Sequence, residues 1–486
     1  MPISFDSIPA ALRTPGVYIE FNNELAGAGS LQQKVVVIGQ RLSTGTMVAG
    51  VPTRITSESQ AVLLAGRGSM LTTMLRASIN AGRDTELWAI ALDDNTTSTA
   101  ATATCTIAGT ATANGSVYLY IGGQRVVVSV SSGDTAADIA EAIKNKVEAD
   151  HDLLVNAAFS AGVVTYTAKN NGEAGNTIDI RHNYYDTEAF PGGITCTLSE
   201  MTGGANNPDI STALTALGDD WYHWIVMPYT DTSNLTSLKA ELDDRWGPMR
   251  QLGCRAFAAY RGTHAETATF GNAHNSPHLS VMGTNLAPQP PFVWAAINAT
   301  VAAASLAIDP ARPLQTLVLP GLLAPALAKR WTREEHNTLL TDGIATYRVG
   351  SDGTVRIERQ ITTYQTNSAG LDDASYLDIN TPETLERIRY EQRALIAQRY
   401  PRHKLAADGT RYGAGQPIVT PVLIIAELMA LYREMEARGW VEGADHYKDT
   451  IVAEINADDP NRLDVTDQPN LVNQFRVYAQ KTQFIL

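Results

Sequence analysis

A chain of 486 residues with 44% hydrophobic and 18% charged residues has material for roughly two to four domains and is too apolar to be disordered. Its formal net charge of −14 argues against a nucleic-acid binder, which needs a basic face to displace counterions, and disfavours an anionic membrane surface. Three cysteines, Cys105, Cys196 and Cys254, lack metal or redox spacing and are read as reduced thiols, and the start MPISFDSIPAALRTPG has neither the basic nor the apolar region of a signal peptide.

The first element predicted is a strand in GVYIEFNN, where Val17, Ile19 and Phe21 point away from Tyr18, Glu20 and Asn22. NNELAGAGSLQQ (22–33) follows as a small, polar tether that spans roughly 40 Å when extended. KVVVIG (34–39) is a continuous apolar run, as expected for a strand buried on both faces. ESQAVLLAGRGSMLTTMLRASIN (58–80) reads as one helical stretch closed by Gly82, and ELWAIAL (86–92) as the next buried strand. Alternating strands and helices predict an α/β core with a mostly parallel sheet and flanking helices.

The alternation breaks at NTTSTAATATCTIAGT (95–110). SVYLYIGGQRVVVSV reads as a hairpin over Gly122-Gly123, and DTAADIAEAIKNKV as an amphipathic helix with Ile139, Ile143 and Val147 one turn apart and Asp134 or Thr135 as N-cap. A second hairpin (LLVNAAFSAGVVTYTAKN) and a further strand (NTIDIRHNYY) complete a block that ends at the linker MTGGANNPD. Residues 95–205 are therefore expected to form a small α+β domain inserted into the larger one.

The α/β pattern resumes with strands in WYHWIVMPY, CRAFAAY and HLSVMGTN, and a helix in NLTSLKAELDDRW. PPFVWAAINATVAAASLAID (290–309) has the length of a membrane span, but it is alanine-rich and carries Asn298, Thr300 and Ser305, so it reads as a buried helix. After Pro320 come a helix capped by Thr332 and Glu335, a hairpin over Ser351-Asp352-Gly353, and two helices, TPETLERIRYEQRALIAQRY and PVLIIAELMALYREMEARG. The expected division is 1–33 arm and tether; 34–94 with 206–330 as the α/β middle domain; 95–205 the insert; 331–460 an α+β C-terminal domain; and 461–486 a C-terminal strand arm.

Catalytic signatures are missing from this chain. GRGSM (66–70) puts its serine one place too late for a nucleophile elbow, and no phosphate-binding glycine loop is complete. His264, His274 and His278 lack helical metal spacing and read as surface and capping residues. The pairs Asp219-Asp220, Asp243-Asp244, Asp372-Asp373 and Asp458-Asp459 place neighbouring carboxylates on opposite sides, which suits turns and caps. Trp221, Tyr222, Trp224 and Tyr229 read as core and rim of a sheet edge. No cofactor is implied. Residues 383–404 carry six Arg/Lys against three Glu, read as a solvated helix face with docking of an acidic partner as the alternative.

The remaining signal lies in NLVNQFRVYAQKTQFIL (470–486), where Phe475, Val477 and Ala479 alternate with Gln474, Arg476, Tyr478 and Gln480. A second strand of this kind, with the first on a tether, predicts that the terminal segments complete sheets in other copies, head to tail. PNRLDVTDQPNLVNQFRVYAQKTQFIL (460–486), IPAALRTPGVYIEFNN (8–23) and GRGSMLTTMLRA (66–77) resemble the tail sheath proteins of Mu-like contractile-tailed bacteriophages, and the resemblance runs along essentially the whole chain.

The resemblance implies a structural subunit, not an enzyme. It implies hexameric rings of this chain stacked around an inner tail tube, with partners in the tube, baseplate and tail terminator proteins, and neither nucleic-acid binding nor direct membrane insertion. It implies location in the virion tail, after assembly in the host cytoplasm. Exchanged arms would use Val17, Tyr18, Ile19 and Phe21 at one end and Val472, Phe475, Val477 and Tyr478 at the other. The C-terminal domain would face the tube, with Arg387, Arg389, Arg393 and Lys404 as contacts, and the insert would face outward. A tailocin or other contractile injection device uses the same sheath, and a cytosolic α/β enzyme without a recognisable motif is the rival from another class.

Overall fold

The computed structural model of the chain, which describes residues 33–82 and 85–485, turns the apolar runs of the sequence into one central sheet. β1 (Lys34–Gln40) has Val35 to Ile38 fully buried, as a run without alternation requires. It is followed by β2 (Thr53–Ile55), α1 (Glu58–Ala65), α2 (Met70–Ala81) and β3 (Glu86–Leu92). The stretch expected as a single helix is two. Gly66 and Gly68 take φ of 85° and 79°, which no helix interior accommodates, and Ser57 and Ser69 each cap a separate helix. Gly68 also has no room for a side chain: a Cβ there would lie 2.5 Å from the carbonyl oxygen of His151.

The segment after β3 builds two small sheets. β4 (Thr102–Gly109), β5 (Gly115–Ile121), β6 (Gln124–Val130), α3 (Ala136–Ala149), β7 (Val155–Ser160), β8 (Val163–Ala168), β9 (Ile180–His182) and β10 (Ile194–Leu198) pair in the orders β10-β4-β8-β7 and β6-β5-β9. The β5–β6 turn runs through Gly122 and Gly123 at φ 55° and 83°, the left-handed pair that a tight primed turn demands. Thr135 caps α3 and Asp138 returns the bond, while Ile139, Ile143 and Val147 are buried. β4 and β10 go beyond the expected strands: in TATCTIAG the buried alternate positions are Ala103, Cys105 and Ile107, too small a set to signal a strand by bulk. Cys105 and Cys196 meet across β4 and β10 with Sγ atoms 2.7 Å apart. Both are free thiols, and the hydrogen bond with Cys196 together with burial raises the Cys105 thiol.

The chain returns through α4 (Ser211–Leu217), β11 (Trp224–Val226), α5 (Thr232–Trp246), β12 (Arg255–Tyr260), α6 (His264–Asn272), β13 (Leu279–Gly283) and α7 (Pro291–Ile308). The central sheet then reads β13-β12-β11-β1-β3-β2, parallel throughout except for β2 at the edge. α7 is apolar and long enough to cross a membrane, yet it lies mostly buried against α2 and the sheet, where its alanines allow close approach. α8 (Arg333–Thr341) starts with the Thr332–Glu335 capping box and leads into the hairpin β14 (Thr346–Val349) and β15 (Val355–Arg359).

The rest of the chain gathers round a second, smaller core. α9 (Asn380–Arg399), β16 (Lys404–Leu405), β17 (Ile418–Val419), α10 (Pro421–Ala437), β18 (Val441–Glu442), α11 (Ala444–Thr450), β19 (Val452–Ile455), β20 (Leu463–Thr466) and β21 (Asn470–Leu471) follow in order. Ile388, Ile424, Leu428, Tyr432, Met435 and Trp440 are among its buried members, with the Tyr432 and Tyr447 rings stacked at 3.9 Å. The chain is thus a mixed α/β protein of several sheets.

Candidate assembly surface

The strand expected over 470–486 ends within the chain almost as soon as it begins. Only Asn470 and Leu471 pair, antiparallel to Glu442 and Val441, and Tyr432 holds the joint by accepting from Asn470 N (3.2 Å) and donating to Glu442 O (2.8 Å). Val472 N donates to Trp440 O at 3.1 Å, and among the described residues no backbone hydrogen bond follows it.

Beyond Val472 the first two polar side chains of the alternation, Gln474 and Arg476, turn inward, while Tyr478 and Gln480 are exposed. Gln474 Nε2 donates to Ala311 O at 3.3 Å, and the Arg476 guanidinium reaches Asp378 at 3.0 Å and Asn380 at 3.4 Å. Burial depresses Arg476 below its usual range while Asp378 opposes the fall. The apolar members face solvent instead: Phe475 is 74% exposed and Val477 79%, Phe484 and Ile485 are more exposed still, and Tyr478 of the polar set is bare as well at 73%. A segment held by Gln474 and Arg476, with Phe475 and Val477 bare and its backbone unpaired among the described residues, leaves backbone groups to which another strand can add. Val472 is half-buried at the root of this segment. Val17, Tyr18, Ile19 and Phe21 lie outside the described residues.

A second element shares this character. β19 and β20 form a two-stranded sheet without a third strand among the described residues, and Val452 and Val465 on it are 56% and 40% exposed. Two strands alone are marginal in water, so added strands would stabilise such a hairpin. Behind it, a groove of about 570 Å³ runs between α9, α10 and the hairpin, floored by Ile396, Leu405, Val419 and Leu428.

The four cations expected at the tube are not alike. Arg387 pairs with Glu391 at 3.0 Å and lies over the Trp440 ring, and Arg389 pairs with Glu386 and donates to Trp246 O at 2.7 Å. Arg393 is exposed but stands over Trp221 and donates to Gln251 O at 3.3 Å, whereas Lys404 holds only Gln416 at 3.1 Å. They do not converge on one free basic patch, because the adjoining glutamates on α9 engage two of them.

The first turns of α9 are bound to the central sheet through a buried ionic knot that the sequence did not announce. Arg255 is fully buried on β12 and donates to Cys254 O at 2.8 Å and to Pro382 O at 2.5 Å, with its Nε 3.8 Å from Glu383. Trp246 covers the guanidinium at 4.8 Å, and His278 Nδ1 lies 3.3 Å from Nη1. Burial drives His278 far below its usual range and His223 down to about 3, so both are neutral at physiological pH. His264 and His274 pack elsewhere, against Trp331 and Phe270. No described group of His, Cys, Asp and Glu has the makings of a metal site.

Comparison with known proteins finds three family models along the chain. Residues 203–363 match the phage tail sheath protein central domain, 372–485 the phage tail sheath C-terminal domain, and 96–195 the phage tail sheath protein beta-sandwich domain. The chain is 45% identical over 488 residues, covering 100% of both, to the Mu-like prophage FluMu tail sheath protein of Haemophilus influenzae. In fold it is similar to the sheath tail protein of Listeria innocua, with a TM-score of 0.50, 13% identity and coverage of 91% of this chain and 92% of that one. A sheath tail protein of Desulfitobacterium hafniense aligns with a TM-score of 0.49 at 12% identity, over 94% of this chain and 100% of that one.

Proposed function

This chain belongs to the phage tail sheath proteins, a structural component of the virion tail and not an enzyme, and we propose that it polymerises by lending its terminal strands to neighbouring copies. The observation that carries this reading is the segment after Val472, without backbone pairing among the described residues and bare on its apolar face. A neighbour's β19–β20 sheet, which has free edges, is the acceptor of the right kind. The N-terminal strand, with Val17, Tyr18, Ile19 and Phe21, would make the equivalent joint on its tether.

Such contacts are head to tail and do not close on themselves, so they propagate as stacked hexameric rings or a helical tube. The polymer would surround a tail tube, with its ends at baseplate and terminator proteins. Lys404 and Arg393 remain the better placed of the four tube-contact cations, being exposed. Contraction is then the relaxation of an extended, kinetically trapped lattice to a shorter, wider one, triggered at the baseplate and fuelled by assembly itself. Flexible arms would keep the copies linked while tube contacts release.

Electron microscopy of the purified protein tests the reading. The full chain forms tubes, and chains lacking residues 1–23 or 473–486 remain folded monomers. Normal tubes from either truncated chain would refute strand lending; discrete small oligomers of the full chain would refute its polymerisation by itself.

A further inference from the structure

Most arginines of this chain are matched to carboxylates, but three around one small cavity are not. Arg330, Arg333 at the start of α8, and Arg348 on β14 line a hollow of about 210 Å³ whose aromatic wall is Trp331 and Tyr347. Arg333 and Arg348 are exposed, and among the described residues their side chains make no hydrogen bond or close ion pair, Arg348 acting on the Glu358 carboxylate only as a more distant charge. Arg330 is half-buried and uses only its Nε, on Pro325 O at 3.1 Å. The carboxylate at the cavity, Glu358, is occupied by His336 Nδ1. Guanidinium forks on an aromatic wall suit a planar carboxylate, which they grip bidentately.

From this geometry we infer that the cavity is a socket for an acidic side chain of a second copy of this chain. The inference rests on the polymer proposed above and adds a specific contact to it. Copies that each carry a net charge of −14 repel one another on approach. They also expose acidic pairs: the Asp219 and Asp220 side chains are 96% and 69% exposed, and Asp458 and Asp459 are exposed on the β19–β20 connection. Unmatched cations placed at a contact between like-charged copies reverse the local sign and fix the register of docking.

The test uses the full chain in two arms. Charge reversal, Arg333→Glu with Arg348→Glu, should leave monomer melting unchanged and raise the concentration at which tubes form by about tenfold or more. In the second arm Arg348→Lys is prepared as a mixture of nitrogen-14 and nitrogen-15 copies and treated with a zero-length carbodiimide. The amine that this change introduces should be joined to an aspartate or glutamate of the other isotope. Tubes from the charge-reversed chain at the wild-type threshold overturn the socket, as do amide links from the new amine that are absent or confined to single copies. A wild-type chain that forms no tubes tells instead against the polymer proposed above.

Discussion

Glu383 sits inside the junction of β12 and α9, 3.8 Å from the Arg255 guanidinium, and two effects pull on its proton. Burial disfavours the carboxylate and is the larger effect; Arg255 and then Arg387 favour it, while Glu386 repels it, and the carboxyl is pushed up to about 7. His278 and Arg389 complete the surround, the first neutral and the second tied to Glu386. Because the folded form holds this proton more tightly than the unfolded chain, where a glutamate titrates near 4.5, its contribution to stability is complete below pH 4.5 and lost as pH rises through 7. The shift corresponds to a loss on the order of 3 kcal/mol. Glu383→Gln, which keeps shape and removes the titration, should flatten the stability profile between pH 5 and 8 in urea denaturation followed by tryptophan fluorescence. A profile as steep as the wild type's would place the titrating group elsewhere.

At the scale of elements, legibility followed how local the determining forces are. The runs KVVVIG and ELWAIAL declared buried parallel strands, Gly122-Gly123 declared a turn, and Thr332 with Glu335 declared a helix start, because each needs only a few adjacent residues. The break between α1 and α2 was written in Gly66 and Gly68 but masked by the apolar periodicity that spans them. β4 was hidden by small side chains, and the knot at Arg255 reaches Pro382 and Glu383, 127 and 128 positions away, which no local pattern records. The segment after Leu471 had its alternation read from sequence, but pairing is a property of the partner, and within one copy its polar side is the one held. The second core makes a prediction at this scale. It is separate from the main core and small, so truncating it acts on the C-terminal elements alone. Leu428→Ala, at a site 6% exposed, should cost about 2–4 kcal/mol and move a C-terminal unfolding transition by several degrees in calorimetry, while the main transition stays in place. A uniform shift of one cooperative transition would mean the two cores fold as one.

For the whole molecule, the strand-lending proposal needs a segment that stays bare in a free copy and yet decides assembly. Burying Phe475, Val477, Phe484 and Ile485 in a neighbour would contribute roughly 6–12 kcal/mol at about 1.5–3 each. Ordering an extended segment costs about 1–2 kcal/mol per residue in backbone entropy, so one joint between two copies is close to balance. On the strand-lending proposal that balance leaves the segment bare in a free copy and makes assembly cooperative, because a copy inserted into a lattice would make several such joints at once. Near balance, a small loss per joint has a large effect on the polymer and none on the monomer. On the reading proposed here, Val477→Asp, at a site 79% exposed in the free chain, should leave monomer melting within a degree of wild type. The same change removes roughly 2–3 kcal/mol from every joint, which raises the polymerisation threshold by at least thirtyfold or so, measured by sedimentation of tubes across a concentration series. If the threshold holds while the monomer is unchanged, the exposed face after Leu471 is not where copies meet; if the monomer itself melts early, that face is packed at home and the strand is not on offer.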